Sequence, residues 1–144
     1  MKNKIIFIWI CFLICVGFYY YLHPMQPTVI INGTTFFIDL AITQPEIEKG
    51  LGGKESLPPN HGMLFIRDHK DQYPFWMGGM KFPLDFIWID GNVIVDISKN
   101  IPVLENGTIP QIKPNKPVDK ILEINAGETD KAGIKIGDTL LFNK

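Results

Sequence analysis

GMLFIRDHKDQYPFWMGGMKFPLDFIWIDGNVIVDI, residues 62–97, sets three apolar runs and two glycine turns around a few polar residues. Within it, LDFIWID (84–90) decides the fold. Leu84, Phe86 and Trp88 alternate with Asp85, Ile87 and Ile89, so large apolar side chains fall on both faces of one strand. A strand apolar on both faces is central or sandwiched. Asp90-Gly91-Asn92 then turns the chain into a second strand, Val93–Ile97. Upstream, Met63–Ile66 reads as a strand, RDHKDQYP as a charged surface loop, and Phe75–Met77 as a short strand before Gly78-Gly79.

Working outward, VIINGTTFFIDLAIT has the form of a hairpin. Asn32-Gly33 supplies positive φ angles between Val29–Ile31 and Thr34–Ile42, and Phe36, Ile38, Leu40 and Ile42 define its core face. Thr43-Gln44-Pro45-Glu46 has the form of a capping box, which opens a short helix from Gln44 to about Gly50. Residues 99–118 carry four prolines and no helical period, so they read as a long irregular excursion. The chain closes with a strand Lys120–Ile124, a short helix near Thr129–Ala132 and a strand Thr139–Phe142. The expected fold class is mainly β, a compact antiparallel barrel or sandwich with one or two short helices.

The N-terminal segment is of another kind. Ile5 to Leu22 are eighteen uncharged residues, with Lys2 and Lys4 before them and Tyr19, Tyr20 and Tyr21 at the far end. As a helix they would extend about 27 Å, close to the hydrocarbon thickness of a bilayer. The expected layout is a cytoplasmic 1–4, a transmembrane signal anchor 5–22, a linker 23–28 and one β-domain 29–144. The charge asymmetry places that domain outside the cytoplasm, on a single-pass protein of the cell membrane. The competing reading is a cleaved signal peptide and a secreted domain, but no small-x-small pair follows the apolar run.

Composition excludes several functions. With Lys2 and Lys4 removed from the 14 basic residues, 12 face 15 acidic ones, so the domain is net −3 and offers no basic patch for nucleic acid. Both cysteines, Cys11 and Cys15, lie in the apolar segment, so the domain is neither a disulfide scaffold nor a thiol enzyme. No nucleophile elbow, HExxH or phosphate loop occurs, and no cofactor is implied.

The candidate site residues are Trp76, Lys81, Asp85, Glu46, Lys49, His61 and Arg67. Asp85 shares its strand face with Ile87 and Ile89, and a buried carboxylate must be paired or hydrogen-bonded. One reading makes it structural, accepting backbone N–H groups or pairing with Lys81 or Arg67. The other makes it an acceptor for a small polar ligand, with Lys81 as counter-charge and Trp76 as a stacking wall. Glu46 and Lys49 face solvent or a cleft beside the short helix. His61, Met63, Met77 and Met80 offer the imidazole and thioether ligands that select Cu(I), against the alternative that methionines simply fill the core. A hydrolase-like use of Asp85 with His61 is a third possibility. The leading expectation is a non-catalytic module that binds a small polar ligand or an envelope protein partner.

GLGGKESLPPNHGMLFIRD (50–68), FWMGGMKFPLDFIWID (75–90), and ILEINAG (121–127) followed by AGIKIGD (132–138) resemble, in order and spacing, the bacterial and archaeal domain-of-unknown-function family 192. The resemblance covers about residues 29–142. It implies a compact, mostly β domain with one or two short helices, often exported or membrane-tethered, and it implies no activity. Family members commonly carry a basic residue where this chain has Gly78, and arginine where it has Lys49 and often where it has Lys54. If those cations bind an anionic group in the family, this chain binds it more weakly or uses Lys81 and Arg67 instead.

Overall fold

The computed structural model describes residues 2–22, 25–103 and 111–144; in the first of these ranges, side chains are described only at Ile6 and over 9–18. The elements run in the order α1 (Lys2–Leu22), β1 (Thr28–Ile31), β2 (Thr34–Ala41), α2 (Gln44–Lys49), β3 (His61–Asp71), β4 (Leu84–Asp90), β5 (Val93–Ile101), β6 (Val118–Asn125), α3 (Glu128–Lys131) and β7 (Leu140–Asn143). The described side chains of α1 are apolar around the helix and face solvent, Trp9, Phe12, Leu13 and Phe18 among them. Among the described residues no helix is long and apolar enough to cross a membrane. The expected flanks of a span, Lys2 and Lys4 before it and Tyr19, Tyr20 and Tyr21 after it, lie outside the described side chains.

The seven strands form one curled sheet, a half-barrel, in the order β5-β4-β6-β3-β2-β1-β7. The first hairpin pairs Ile31 with Thr34 across Asn32 and Gly33, whose φ angles of 50° and 78° are those a tight two-residue turn requires. The two edge strands meet at one end. There Val93 bridges Thr139, and the Ile94 N–H donates to the Asp138 carbonyl at 2.9 Å.

The expected antiparallel barrel or sandwich is corrected in one respect: β2 and β3 pair in parallel, from Phe37↔His61 to Ala41↔Phe65. Residues 42–60 carry the chain back through α2 and a loop, long enough for the crossover that parallel neighbours need. Strand direction leaves no mark on hydrophobic alternation, so periodicity is silent on it.

Other boundaries move as well. β3 runs on through the charged Arg67–Asp71, with a register shift after Ile66 where the strand leaves the tight ladder. The strand expected at Phe75–Met77 is a single bridge, Phe75↔Ile112. That bridge, together with β5 reaching Ile101 and β6 starting at Val118, gives structure to much of the supposed excursion. Residues 104–110 of that stretch lie outside the described residues.

Two cores form because the sheet is buried on both faces. Ile31, Ile38, Leu64, Ile89, Ile94 and Leu140, from six of the strands, share one cluster with Leu122 of the seventh. Side chains from both sheet edges can meet only on the inside of the curl. On the convex face Phe65, Phe86, Trp88 and Ile121 form the second cluster, covered by Leu51, Leu57, Met77 and Met80 from the loops. Phe86 and Trp88 stack at 5.8 Å, Phe75 meets both rings edge-on, and the Trp88 indole N–H donates to Ser98 Oγ at 3.0 Å. Thus β4 contributes to both cores.

Gly62 of β3 lies tight against β6: a Cβ there would come within 2.6 Å of the Glu123 carbonyl oxygen. Gly62→Ala should therefore destabilise the chain by about 2–3 kcal/mol, since backbone must move to admit a methyl group. A lowered urea midpoint with an unchanged m-value is the expected result; an unaltered midpoint would show that the ladder relaxes freely.

Candidate functional site

Two carboxylates lie buried in the sheet. Asp85 points to the inner face at the start of β4 and is fully buried. Its Oδ1 accepts the Asn100 N–H at 2.8 Å, while Oδ2 accepts the N–H groups of Gly127 at 3.0 Å and Thr129 at 3.1 Å. It thereby ties the end of β5 and the turn into α3 to β4. Backbone donors suit a buried anion because they are fixed and bring no counter-charge that must itself be desolvated.

The other carboxylate is Glu123, on the convex face of β6 between Met63 of β3 and Phe86 of β4. Only 5% of it is exposed. Burial alone pushes its carboxyl up to about 8; among the described residues neither a hydrogen bond nor a counter-charge offsets the lost hydration. At neutral pH it is mostly the neutral acid.

Glu123 lies at the floor of a cleft of about 200 Å³ on the convex side. One wall is α2 with Ile47, Glu48 and Lys49, followed by Gly50–Gly52. The second is the outer face of β3, with Phe65 and Arg67. The third is the 73–80 segment, with Tyr73, Phe75, Trp76 and Met80. Local chemistry holds these walls in place. Glu46 accepts the N–H groups of Thr43 at 2.8 Å and Ile42 at 3.0 Å, which fixes the start of α2 and, through Thr43 first, holds its carboxyl below the usual carboxylate range. After α2, Gly50 adopts φ 48° directly against the Phe65 ring, and the Gly53 N–H donates to the Gly79 carbonyl at 3.0 Å, joining two glycine turns. Phe75 is held by paired backbone hydrogen bonds to Ile112 at 2.9 and 2.8 Å.

Arg67 lies over the Tyr73 ring, Cζ 4.1 Å from its centroid, and the tyrosine hydroxyl donates to the His69 carbonyl at 2.7 Å. Among the described residues the buried Arg67 Nε has no hydrogen-bond partner. No carboxylate among the described residues forms an ion pair with Arg67.

Of the sequence candidates, the cleft brings together Trp76, Lys49 and Arg67. Trp76 is 49% exposed, a rim residue rather than part of the core. Lys81 instead pairs with Glu55 at the surface. Asp85, buried behind the sheet with its three donors, is set apart from both Lys81 and Trp76. His61 packs against Phe37 at a tilt, ring centroids 5.5 Å apart. Met63, Met77 and Met80 pack in the convex core, with Met80 reaching the cleft. Among the described residues no group of three His, Cys, Asp or Glu side chains could hold a metal ion. Glu123 was not singled out from the sequence. The signal was present in ILEIN, where Glu123 shares its strand face with Ile121, as Asp85 shares one with Ile87.

Asp85→Asn places an amide N–H against backbone donors and should cost about 2–4 kcal/mol of stability, measured by denaturant unfolding. Glu123 makes a pH prediction of opposite character. Its folded value of about 8 lies above the 4.5 of the ordinary carboxyl, so its contribution is fully present below about 4.5 and is lost as pH rises to about 8. The wild type should lose on the order of 3–5 kcal/mol across that window relative to Glu123→Gln. Parallel melting-temperature profiles for the two proteins would refute it.

A family model described as DUF192, Uncharacterized ACR, matches residues 28–142. A protein of unknown function from Novosphingobium aromaticivorans is similar in structure, with 32% identity and a TM-score of 0.71 over 79% of this chain and 83% of that one. A Sinorhizobium meliloti protein, provisionally described as a transcription regulator, gives 30% identity and a TM-score of 0.72 over 82% of this chain and 94% of its own. Among curated proteins none matches significantly.

Proposed function

Because the chain belongs to the DUF192 family, whose description assigns no activity, we propose its function from the cleft: a membrane-tethered, non-catalytic module that binds a small polar ligand. One observation carries this reading. In an aromatic-walled cleft, a buried guanidinium nitrogen of Arg67 has no hydrogen-bond partner among the described residues, and Glu123 beside it is buried with no counter-charge contributing to its state. Folded proteins rarely leave buried polar groups unmatched, and concave apolar sites with a few convergent polar groups are the usual form of ligand sites.

The non-catalytic reading is supported by the separation of the acid–base candidates. His61 lies against Phe37, while both oxygens of Asp85 are occupied by backbone donors. Nucleic acid is not part of the reading, since the β-domain is net −3. The tether is supported by the uncharged run 5–22 with lysines at positions 2 and 4, and by the exposed apolar side chains of α1. That arrangement would display the β-domain outside the cytoplasm.

A ligand panel of sugars, nucleotides, amino acids and small organic acids should raise the melting temperature for at least one class, by about 2.7 kcal/mol of added stability at a hundredfold excess over Kd. Trp76→Ala should abolish that rise without lowering the ligand-free melting temperature. If no small molecule stabilises the chain and photo-crosslinks from position 76 capture an envelope protein, the site is a protein interface instead. For the tether, the full chain should stay in the membrane pellet after alkaline carbonate extraction, and a chain lacking 5–22 should not. Recovery of the intact full chain in the soluble fraction would end that part of the proposal.

A further inference from the structure

We infer that the ligand is a small monocarboxylate with an apolar, ring-sized body, its carboxylate received by Arg67 and by the carboxyl group of Glu123. The inference rests on the binding-module reading and narrows it to a chemical class. Arg67 offers a planar fork of N–H donors, and its guanidinium carbon sits over the Tyr73 ring, 4.1 Å from the centroid, which braces it against the aromatic face. The natural complement of such a fork is a planar carboxylate, which can take two parallel hydrogen bonds. Glu123 does not fill that role, because no counter-charge contributes to its state. Both groups line the same cleft, so an incoming carboxylate would meet guanidinium N–H donors from one side and an acid O–H from the other.

Charge and shape agree with this assignment. The charged or titratable groups lining the cleft are Glu48 and Lys49 of α2, Arg67 of β3, Tyr73 and Glu123 of β6. Glu48 is engaged by the Gln44 amide at 2.8 Å. With Glu123 in its acid form, two cations face one anion, and a single negative charge is welcome. Ionisation of Glu123 would remove that excess and place an anion at the floor, against the ligand. Phe65, Phe75, Trp76, Met80 and Ile47 supply apolar walls for the ligand body, and a volume of about 200 Å³ suits one ring rather than a chain of sugars. A fully hydrated dianion would gain little from walls of this kind.

The test is calorimetric titration of the full chain in detergent with four probes: benzoate, benzyl alcohol, benzylamine and inorganic phosphate. Benzoate is expected to bind at least about tenfold more tightly than the other three. Arg67→Gln should weaken benzoate by about tenfold or more while leaving benzyl alcohol unchanged. Between pH 6.5 and 9.5 the wild type should lose about tenfold or more in benzoate affinity, whereas Glu123→Gln, which keeps a donor and cannot ionise, should bind equally at both. Arg67 and Trp76 are partly exposed, so Trp76→Ala serves as a second folded variant that should lose benzoate. Benzyl alcohol or benzylamine binding as well as benzoate would overturn the carboxylate assignment and leave the binding module standing. Phosphate as the best probe would overturn it too. No binding by any probe, with no stabilisation by the wider panel, would sink both.

Discussion

Strand β4 has no solvent face, and the rest of the domain is arranged to satisfy that constraint. Ile87 and Ile89 fill the inside of the curl, while Phe86 and Trp88 project from the convex side. A seven-stranded sheet that curls far enough for its edges to touch covers the first pair, with Ile134 after α3 packed into the same cluster. The second pair needs an added layer. α2, the glycine loop after it, the 73–82 segment and Ile112 supply that layer without forming a second sheet. Each large aromatic side chain moved out of water contributes a few kcal/mol, so ordering these irregular segments is offset chiefly by what they cover.

The cleft is a consequence of covering a flat sheet with pieces of loop. The loop after helix α2 and the 73–80 segment are joined at their glycine turns, where the Gly53 N–H donates to the Gly79 carbonyl. Away from that seam they diverge, leaving β3 and β6 open between them. The residues uncovered there are not arbitrary. One is Glu123, whose hydration has been removed without replacement, and another is Arg67, placed on Tyr73 with a donor unused.

The two buried carboxylates show how the same local pattern leads to opposite outcomes. Asp85 and Glu123 each interrupt an apolar strand at a position that alternation assigns to a core. Asp85 stands where β5 ends and α3 begins, and such termini offer backbone N–H groups that the ladder does not use. Glu123 stands in mid-strand, flanked by ladders to β3 and β4 in which backbone donors are already paired. Its carboxyl finds only side chains, and those nearest in register are Met63 and Phe86. Position along the strand, rather than residue type, separates a structural anion from a neutral acid open to a cleft.

What the sequence by itself determined is local. The Asn32-Gly33 hairpin, the Thr43–Glu46 helix start and the two-faced burial of 84–89 are all present as read, because turn conformation, capping and side-chain alternation act within a few residues. Trp76, Lys49 and Arg67 were legible as candidates because polar and aromatic residues inside an apolar context need a reason to be there. Tertiary structure alone decided the parallel pairing of β2 with β3, the extension of β3 through its charged end, and the meeting of Arg67 with Glu123 across one cleft. It also decided that Asp85 and Lys81 belong to different surroundings. Each of these depends on which distant segment covers which face of the sheet. That is settled by packing over the whole chain, and no window of neighbouring residues contains it.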